Sequence, residues 1–290
     1  MKTSKIYLVV LLSFQLGFSQ MSGNVVYRDN NYTPINKIGF VLTDNALTFK
    51  VSIMINKKAD HYMISLGLNE EATTVEECNS SINKRISGFV EKLSKLGIKE
   101  KDIYVDFISQ TKIYDFNLET NKAQQFEKGY EIKKNIIIST SILKNIDSII
   151  ESASLFKIYD IIKIDYLTND TSELYTSLLD DALKIAASKK EKYLTSFNKK
   201  TVGNPTASGE LLAYTPENQY KNYKAYESSD VESYYGNSTY ARKIARKNNT
   251  FYYDGISQTG MDKIINGNSP EVGVQYVLTL NISYKIDTSL

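Results

Sequence analysis

The sequence predicts an α+β protein in which helices pack on one face of an antiparallel sheet. The main observation is the order of hydrophobic patterns from Ala59 to Asn198, which is strand, helix, strand, strand, helix, strand, helix. A second observation is the clearly marked start and stop of the first helix. A third is an alternating strand at the end of the chain. Two consecutive β-α-β units joined in this way are typical of a split, ferredoxin-like arrangement.

Two strand patterns precede the first helix. Alternation of apolar and polar residues predicts one half-buried strand at Leu47–Ile55 and another at His61–Leu68. The pattern leaves open whether these are neighbouring strands or one ribbon bent around residues 56–60.

Helix one begins with a capping box, because Thr74 is followed three residues later by Glu77. Gly97 provides its stop, since glycine adopts the left-handed conformation without a Cβ clash. The apolar stripe between them recurs at helical spacing and consists of Cys78, Ile82, Ile86, Phe89, Val90, Leu93 and Leu96.

Two β-rich segments follow helix one, at Asp102–Lys112 and Tyr130–Thr140. The second contains three consecutive isoleucines, Ile136 to Ile138, which predicts a central position in the sheet. The polar segment between them, Asp115–Lys128, is interpreted as the tip of a hairpin.

A helix, a strand and a long helix complete this block. Their predicted bounds are Ile142–Leu155, Tyr159–Leu167 and, for helix three, residue 171 or 172 to Phe197. Helix three or a partner subunit is expected to cover the second face of the sheet. The far end of helix three is rich in lysine, which suits the negative end of the helix dipole, and this lysine-rich end is interpreted as a solvated face. The lysines there are Lys184, Lys189, Lys190 and Lys192.

The composition changes after Phe197. A strand is expected around Gly209–Tyr214, and residues 215–268 are dense in Tyr, Asn and Ser. The alternating segment Val272–Ile286 predicts a final strand that pairs inside the main sheet. Residues 215–268 are therefore predicted to be a Tyr-rich insertion within one domain that spans residues 20–290.

Residues 1–19 have the pattern of a secretory signal peptide. The apolar run Ile6–Phe18 is shorter than the ~20 residues of a membrane span, and the small residues Gly17 and Ser19 precede a cleavage site at Gln20. A retained membrane anchor is the alternative. We expect a mature chain without a transmembrane segment, exported to a Gram-negative periplasm or associated with the outer membrane.

Charge and cysteine content exclude several functional classes. The 35 basic and 33 acidic residues nearly balance, so there is no global field to attract nucleic acid. The single cysteine, Cys78, excludes an intramolecular disulfide and a cysteine-based metal cluster. Its place on the apolar face of helix one predicts an inert thiol instead of a redox sensor.

The remaining candidates for catalysis are few. His61 is the only histidine, and the chain has no Gly-x-Ser-x-Gly elbow, which argues against a Ser-His-Asp triad. The pairs Glu70-Glu71 and Glu76-Glu77 could hold a hard cation, but acidic residues near a helix start more often serve its dipole. We therefore assign no catalytic, cofactor or metal residue from the sequence.

The best candidate for ligand or partner contact is a basic and aromatic patch in the Tyr-rich segment. Such patches engage nucleic acid, polysaccharide or anionic lipid headgroups, and tyrosine is enriched at interfaces. An ordinary solvated helix face is the alternative. The residues are Tyr240, Arg242, Lys243, Arg246, Lys247, Tyr252 and Tyr253.

The order of these segments resembles the SIMPL-domain family of exported bacterial proteins. The resemblance is carried by Ala59-Asp60 entering a strand, by Leu93-x-x-Leu96-Gly97-Ile98, and by the closing strand after Pro270. It implies an α+β fold, export, homo-oligomeric assembly and a link to oxidative-stress tolerance, with no established reaction. The chain lacks the glycine that the family usually has before Ala59.

Two hypotheses from different classes follow. The first is a non-enzymatic cell-envelope protein that works as a homo-oligomer. The second is a monomeric periplasmic hydrolase, or a polysaccharide- or lipid-binding protein, that uses the Tyr-rich insertion. An apolar surface exposed on the single chain would favour the first.

Overall fold

The computed structural model describes residues 37–119, 122–223 and 250–289, so the predicted signal peptide lies outside the described residues. The helices in the described part are α1 (Val75–Lys95), α2 (Asn145–Ser154) and α3 (Thr171–Ser196). The strands are β1 (Phe40–Leu42), β2 (Ala46–Lys57), β3 (His61–Ala72), β4 (Ile103–Glu119), β5 (Lys122–Thr140), β6 (Asp160–Leu167), β7 (Thr201–Tyr214), β8 (Tyr220–Tyr223), β9 (Thr250–Tyr253), β10 (Lys263–Ile265) and β11 (Val274–Ile286).

Four strands form an antiparallel sheet in the order β4-β5-β3-β6, which we call the first sheet. Its elements follow each other along the chain as β3-α1-β4-β5-α2-β6, with α3 next, so the predicted succession is confirmed. All neighbouring strands are antiparallel, and the order is that of a split β-α-β unit.

The core of the first sheet forms because every second residue of its central strands is apolar. Ile64 of β3 and Ile136 of β5 are fully buried, together with Ile82 and Phe89 of α1 and Ile149 of α2. Each fully buried side chain of this size contributes about 2 kcal/mol relative to exposure. The repeat of two in the strands and of 3.6 in the helices thus fixes which faces meet.

Helix α1 starts and stops as predicted. The Oγ1 atom of Thr74 accepts a hydrogen bond from the backbone N–H of Glu77 at 3.2 Å, which confirms the cap. Gly97 has φ +82°, the left-handed conformation expected at a helix stop.

The second sheet is built around β11, which lies between β2 and β7 and is antiparallel to both. The short strands β1 and β10 pair with β2 along its other edge. Helix α3 packs on this sheet, with Leu178 and Ala182 in the same core as Phe49 and Leu278. A smaller apolar contact forms among Met54, Met261 and Val277.

The prediction of one main sheet is wrong. β2 and β3, which the sequence left as neighbours or one bent ribbon, belong to different sheets, and β11 pairs with β2 and β7 in the second. Helix α3 packs against β2 and β11 of that second sheet. The reason is that alternation tells which face of a strand is buried but not which strand is its partner.

Both sheets belong to one compact unit within residues 34–220 and 253–290. Strands β8 and β9, at the described ends of the Tyr-rich segment, pair with each other. The middle of the predicted insertion, residues 224–249, lies outside the described residues.

Candidate functional site

The most unusual feature of the first sheet is the length of the β4–β5 hairpin. β5 pairs with β3 only from Tyr130 to Thr140, whereas its pairing with β4 continues to Lys122. Residues 113–119 and 122–129 therefore form a two-stranded ribbon that extends beyond the rest of the sheet. We call these residues the arm.

The base of the arm is fixed by a glycine. Gly129 has φ +154°, and a side chain at this position would collide with the backbone carbonyl of Ala72 at the end of β3. The register between β4 and β5 shifts at the same place, between Ile113 and Tyr114. A bulge of this kind re-aims the strands that follow it, so the arm leaves the sheet at a defined point.

One face of the arm is a row of large apolar side chains. Tyr114, Phe116 and Leu118 alternate along β4 and are 49%, 57% and 85% exposed. Residues at this spacing lie on the same face of a strand. An apolar row open to water marks an interaction site when it is contiguous, and this row is contiguous along the arm.

The arm carries little packing of its own. Lys112 and Glu127 form an ion pair of 2.7 Å across its base, and this contact lowers the pKa of Glu127. Both side chains are substantially exposed, and ion pairs of this type contribute at most about 1 kcal/mol. An isolated two-stranded hairpin is only marginally stable in water, so contact with a further surface would stabilise the arm.

Further large apolar side chains are exposed along the part of β4 that borders the sheet, on both of its faces. Tyr104, Phe107 and Ile108 are exposed there, and β4 is an edge strand in the described part of the chain. An edge strand offers unpaired N–H and C=O groups to a further strand. The exposed edge of β4 thus continues from the sheet into the arm.

The sequence missed this surface because Asp115–Lys128 was interpreted as a polar hairpin tip. The segment is instead almost entirely strand, interrupted only where residues 120 and 121 lie outside the description. The signal that could have found it is the alternation of Tyr114, Phe116 and Leu118, which continues the strand pattern past Lys112.

Of the predicted basic and aromatic patch, only Tyr252 and Tyr253 are described, and both are half-buried. The ring of Tyr253 lies 5.7 Å from that of Tyr220, and its hydroxyl donates to the carbonyl of Gly273 at 3.4 Å. Burial raises the pKa of Tyr253. The remaining residues, Tyr240, Arg242, Lys243, Arg246 and Lys247, lie outside the described residues.

Tyrosines also connect the hairpin strand β8 to the core of the first sheet. The rings of Tyr62 and Tyr166 meet edge to face at 5.2 Å, and Tyr166 is in turn hydrogen-bonded to Tyr220. Burial raises the pKa of Tyr166 to about 12. Burial also raises the pKa of Tyr62, so Tyr62 and Tyr166 serve packing and stay protonated near neutral pH.

A polar cavity of about 530 Å³ lies between the end of β2 and the loop before β11. Its lining includes the amides of Asn56, Gln258 and Asn266, and an ion pair of 3.0 Å joins Lys58 to Glu271. The lysine and the carboxylate neutralise each other. The cavity thus offers hydrogen bonds to a polar group without an unpaired acid or base.

Three of the residues weighed for chemistry, Cys78, Glu70 and Glu77, are engaged in structural contacts. The Cys78 thiol is fully buried and donates to the carbonyl of Tyr130 at 3.1 Å, and burial raises its pKa. Glu70 pairs with Arg85 at 2.6 Å, and Glu77 accepts a hydrogen bond from Thr73 at 2.6 Å. Within the described ranges, no group of three His, Cys, Asp or Glu side chains is placed to hold a metal ion.

Taken together, these elements define an α+β protein with mostly antiparallel sheets and an edge strand, β4, that extends into the arm. Comparison with protein families identifies it further: residues 47–244 match the family described as SIMPL, protein of unknown function (DUF541). The match covers more than half of the chain, and the chain belongs to this family. It ends before β11. No curated protein matches the sequence. In the described part, no helix is long and apolar enough to cross a membrane.

Proposed function

We propose that this chain is an exported, non-enzymatic protein of the bacterial cell envelope that acts as a homo-oligomer. The single observation that carries the proposal is the arm with its exposed row of Tyr114, Phe116 and Leu118. A chain that left this row in water would expose apolar surface over the full length of a protruding ribbon, whereas a second copy would cover it.

The architecture around the arm supports assembly rather than catalysis. Helices α1 and α2 pack on the first sheet and α3 packs on the second, while the edge strand β4 has no outward strand partner among the described residues. The half-buried Tyr252 and Tyr253 of β9 also support assembly, since tyrosine supplies contact area at low entropy cost.

Location and biological role follow from the sequence and the family. The signal-peptide pattern of residues 1–19 supports export to the periplasm or association with the outer membrane. The family resemblance connects such proteins with oxidative-stress tolerance. An oligomer that acts by binding envelope components fits both.

The proposal is tested by two neighbouring substitutions on opposite faces of the arm. Phe116→Lys places a charge in the apolar row, and Asn117→Lys places the same charge on the other face. The readout is the mass of the purified mature chain in solution, measured by light scattering after size exclusion.

The expected result is a discrete multimer for the unmodified chain and for Asn117→Lys, and a shift toward the mass of one chain for Phe116→Lys. Both variants should keep the secondary structure of the unmodified chain, because the arm lies outside the two main cores. An unchanged multimer in Phe116→Lys would remove the arm from the assembly.

A further inference from the structure

Neither outer strand of the first sheet has an outward strand partner among the described residues, and the short turn Pro216–Asn218 contacts β6. These outer strands are β4 and β6. Neither contains a proline, which commonly protects an edge, although each has a β-bulge, at Ile108 in β4 and at Ile162 in β6. By contrast, β7 at the edge of the second sheet contains Gly203, Pro205 and Gly209.

The directions of the two edges are complementary. The first sheet has four strands and every neighbouring pair is antiparallel, so β4 and β6 run in opposite directions. If β4 of one copy lies beside β6 of a second, the new pair is also antiparallel and the sheet continues across the two chains. Each copy then still has one free β4 and one free β6, so the contact is head-to-tail.

Side-chain faces restrict the possible registers between the two edges. Asp106 lies opposite Asn135 and Lys163 opposite Ser65, on the face away from the core. Val105 and Ile164, next to them in sequence, lie on the core face opposite Ile136 and Ile64. Registers that keep core faces together differ from each other by steps of two residues.

One of these registers matches the charges. Placing Asp106 opposite Lys163 sets Val105 opposite Ile164, so that an ion pair forms on one face and an apolar pair on the other. A shift of two residues in one direction brings Asp106 against Asp165, which like-charge repulsion disfavours. Lys163 now pairs with Asp165 at 2.8 Å but is 57% exposed, so exchange to a new partner costs little.

We propose that β4 of one copy pairs antiparallel with β6 of a second copy, with Asp106 opposite Lys163 of the partner. The inference rests on the proposed homo-oligomer and names its contact. The pairing covers the exposed side chains of Tyr104 and Phe107 on one edge and of Ile161 on the other. It also places the arm, which continues β4, beyond the end of the eight-residue β6, against the neighbouring copy.

Engineered cysteines test the contact directly. In the proposed pair the variants Asp106→Cys and Lys163→Cys stand directly opposite, within the Cα separation that a disulfide requires. Within one chain the same positions are three strand spacings apart, roughly 14 Å, too far for a disulfide. The native Cys78 is fully buried and does not compete.

Under mild oxidation the double variant D106C/K163C should form a ladder of covalent multimers on a non-reducing gel. A mixture of the two single variants should give a covalent dimer, and each single variant alone should give none. The matched control is N135C/K163C, because Asn135 lies on the same face one strand inside the edge. It should remain a single chain.

A second pair of cysteine positions, or rung, is needed because D106C/K163C removes the proposed Asp106–Lys163 ion pair and could weaken the contact itself. Y104C/D165C occupies the next positions on the same face of the proposed pairing and should give the same ladder. The mass of every sample is measured by light scattering before oxidation. A multimer that forms no cross-link at either rung would overturn this pairing while leaving the homo-oligomer standing. A covalent dimer of D106C alone would replace it with a two-fold β4–β4 contact. A single-chain mass for the unmodified protein would remove both proposals.

Discussion

Lys189 of α3 and Asp262 form a largely buried ion pair, with Nζ and Oδ1 2.6 Å apart and side chains 13% and 8% exposed. Between β1 and β10, the edge of β2 has a gap that these two residues fill. Lys189 donates to the carbonyl of Lys50, and Asp262 accepts from the N–H of Ser52. The pair therefore satisfies backbone groups that no strand reaches.

Lys189→Met should lower the free energy of unfolding by about 3 kcal/mol, because it leaves the Asp262 carboxylate buried without its cation. Urea denaturation at neutral pH measures the loss. The control is Lys192→Met on the exposed side of the same helix, which should change stability by less than about 0.5 kcal/mol. Equal effects of the two variants would show that the buried pair adds nothing.

Arg85→Lys should destabilise the fold by about 2 kcal/mol although the charge is kept. The guanidinium of Arg85 pairs with Glu70 at 2.6 Å and donates to the carbonyls of Asn69 and Phe156 at 2.7 and 3.0 Å. A lysine cannot make this fork of contacts, so polar groups at the end of α2 lose their donors. The reverse exchange Lys84→Arg, at the exposed neighbour, should be neutral in the same urea experiment, and a neutral Arg85→Lys would contradict the assignment.

Asp60 should make stability depend on acid pH. The N–H of Asn169, which donates to Asp60 at 2.9 Å, and the ammonium of Lys57 hold the pKa of this carboxyl below its usual value. A lowered folded-state pKa stabilises the protein above the unfolded value of about 3.9, and the gain disappears as pH falls through the folded value.

The variant Asp60→Asn should therefore be less stable than the unmodified chain at pH 7, and the difference should shrink below about pH 4. Urea midpoints at several pH values between these limits measure it, with the exposed Asp180→Asn as control. A difference that stays constant with pH would mean that the carboxylate charge is not what links β3 to the chain after β6.

Cys78 should be unreactive in the folded protein. Its thiol is buried in the core and its pKa is raised by burial, so both access and thiolate formation are suppressed. A chromogenic disulfide reagent should label it only in denaturant. In Ser80→Cys, an exposed position on the same helix, one thiol should react at once, and rapid labelling of the unmodified native chain would point to a reactive Cys78 instead.

The order of elements from β3 to α3 can be predicted from local sequence, because each element has a strong hydrophobic periodicity. Thr74 and Glu77 mark the start of α1, and Gly97 marks its end. The division into two sheets cannot be predicted in this way, since strand partners are chosen by contacts far apart in the chain. Ile55 and Tyr276, for example, are paired across more than two hundred residues. Alternation alone cannot select such partners.

Interacting surfaces were harder to predict than buried ones. The lysines at the end of α3 were interpreted as a solvated face, which is wrong for Lys189, while Lys190 lies over the ring of Tyr284 at 4.6 Å. The aliphatic stem of a lysine lets it cross apolar surface to a buried carboxylate, so composition alone does not show which lysines are solvated. The arm was missed for a similar reason, because its polar residues mask the alternating Tyr114, Phe116 and Leu118.

The most direct test of the proposed homo-oligomer is the solution mass of residues 20–290, the unmodified chain without its predicted signal peptide, measured by light scattering behind size exclusion at several concentrations. We expect one discrete species whose mass is a whole-number multiple of the single chain, because the apolar row of the arm and the edge of β4 need a second copy to cover them. A single-chain mass at every concentration would contradict this and leave the polar cavity beside Lys58 and Glu271 as the surface to examine with ligands.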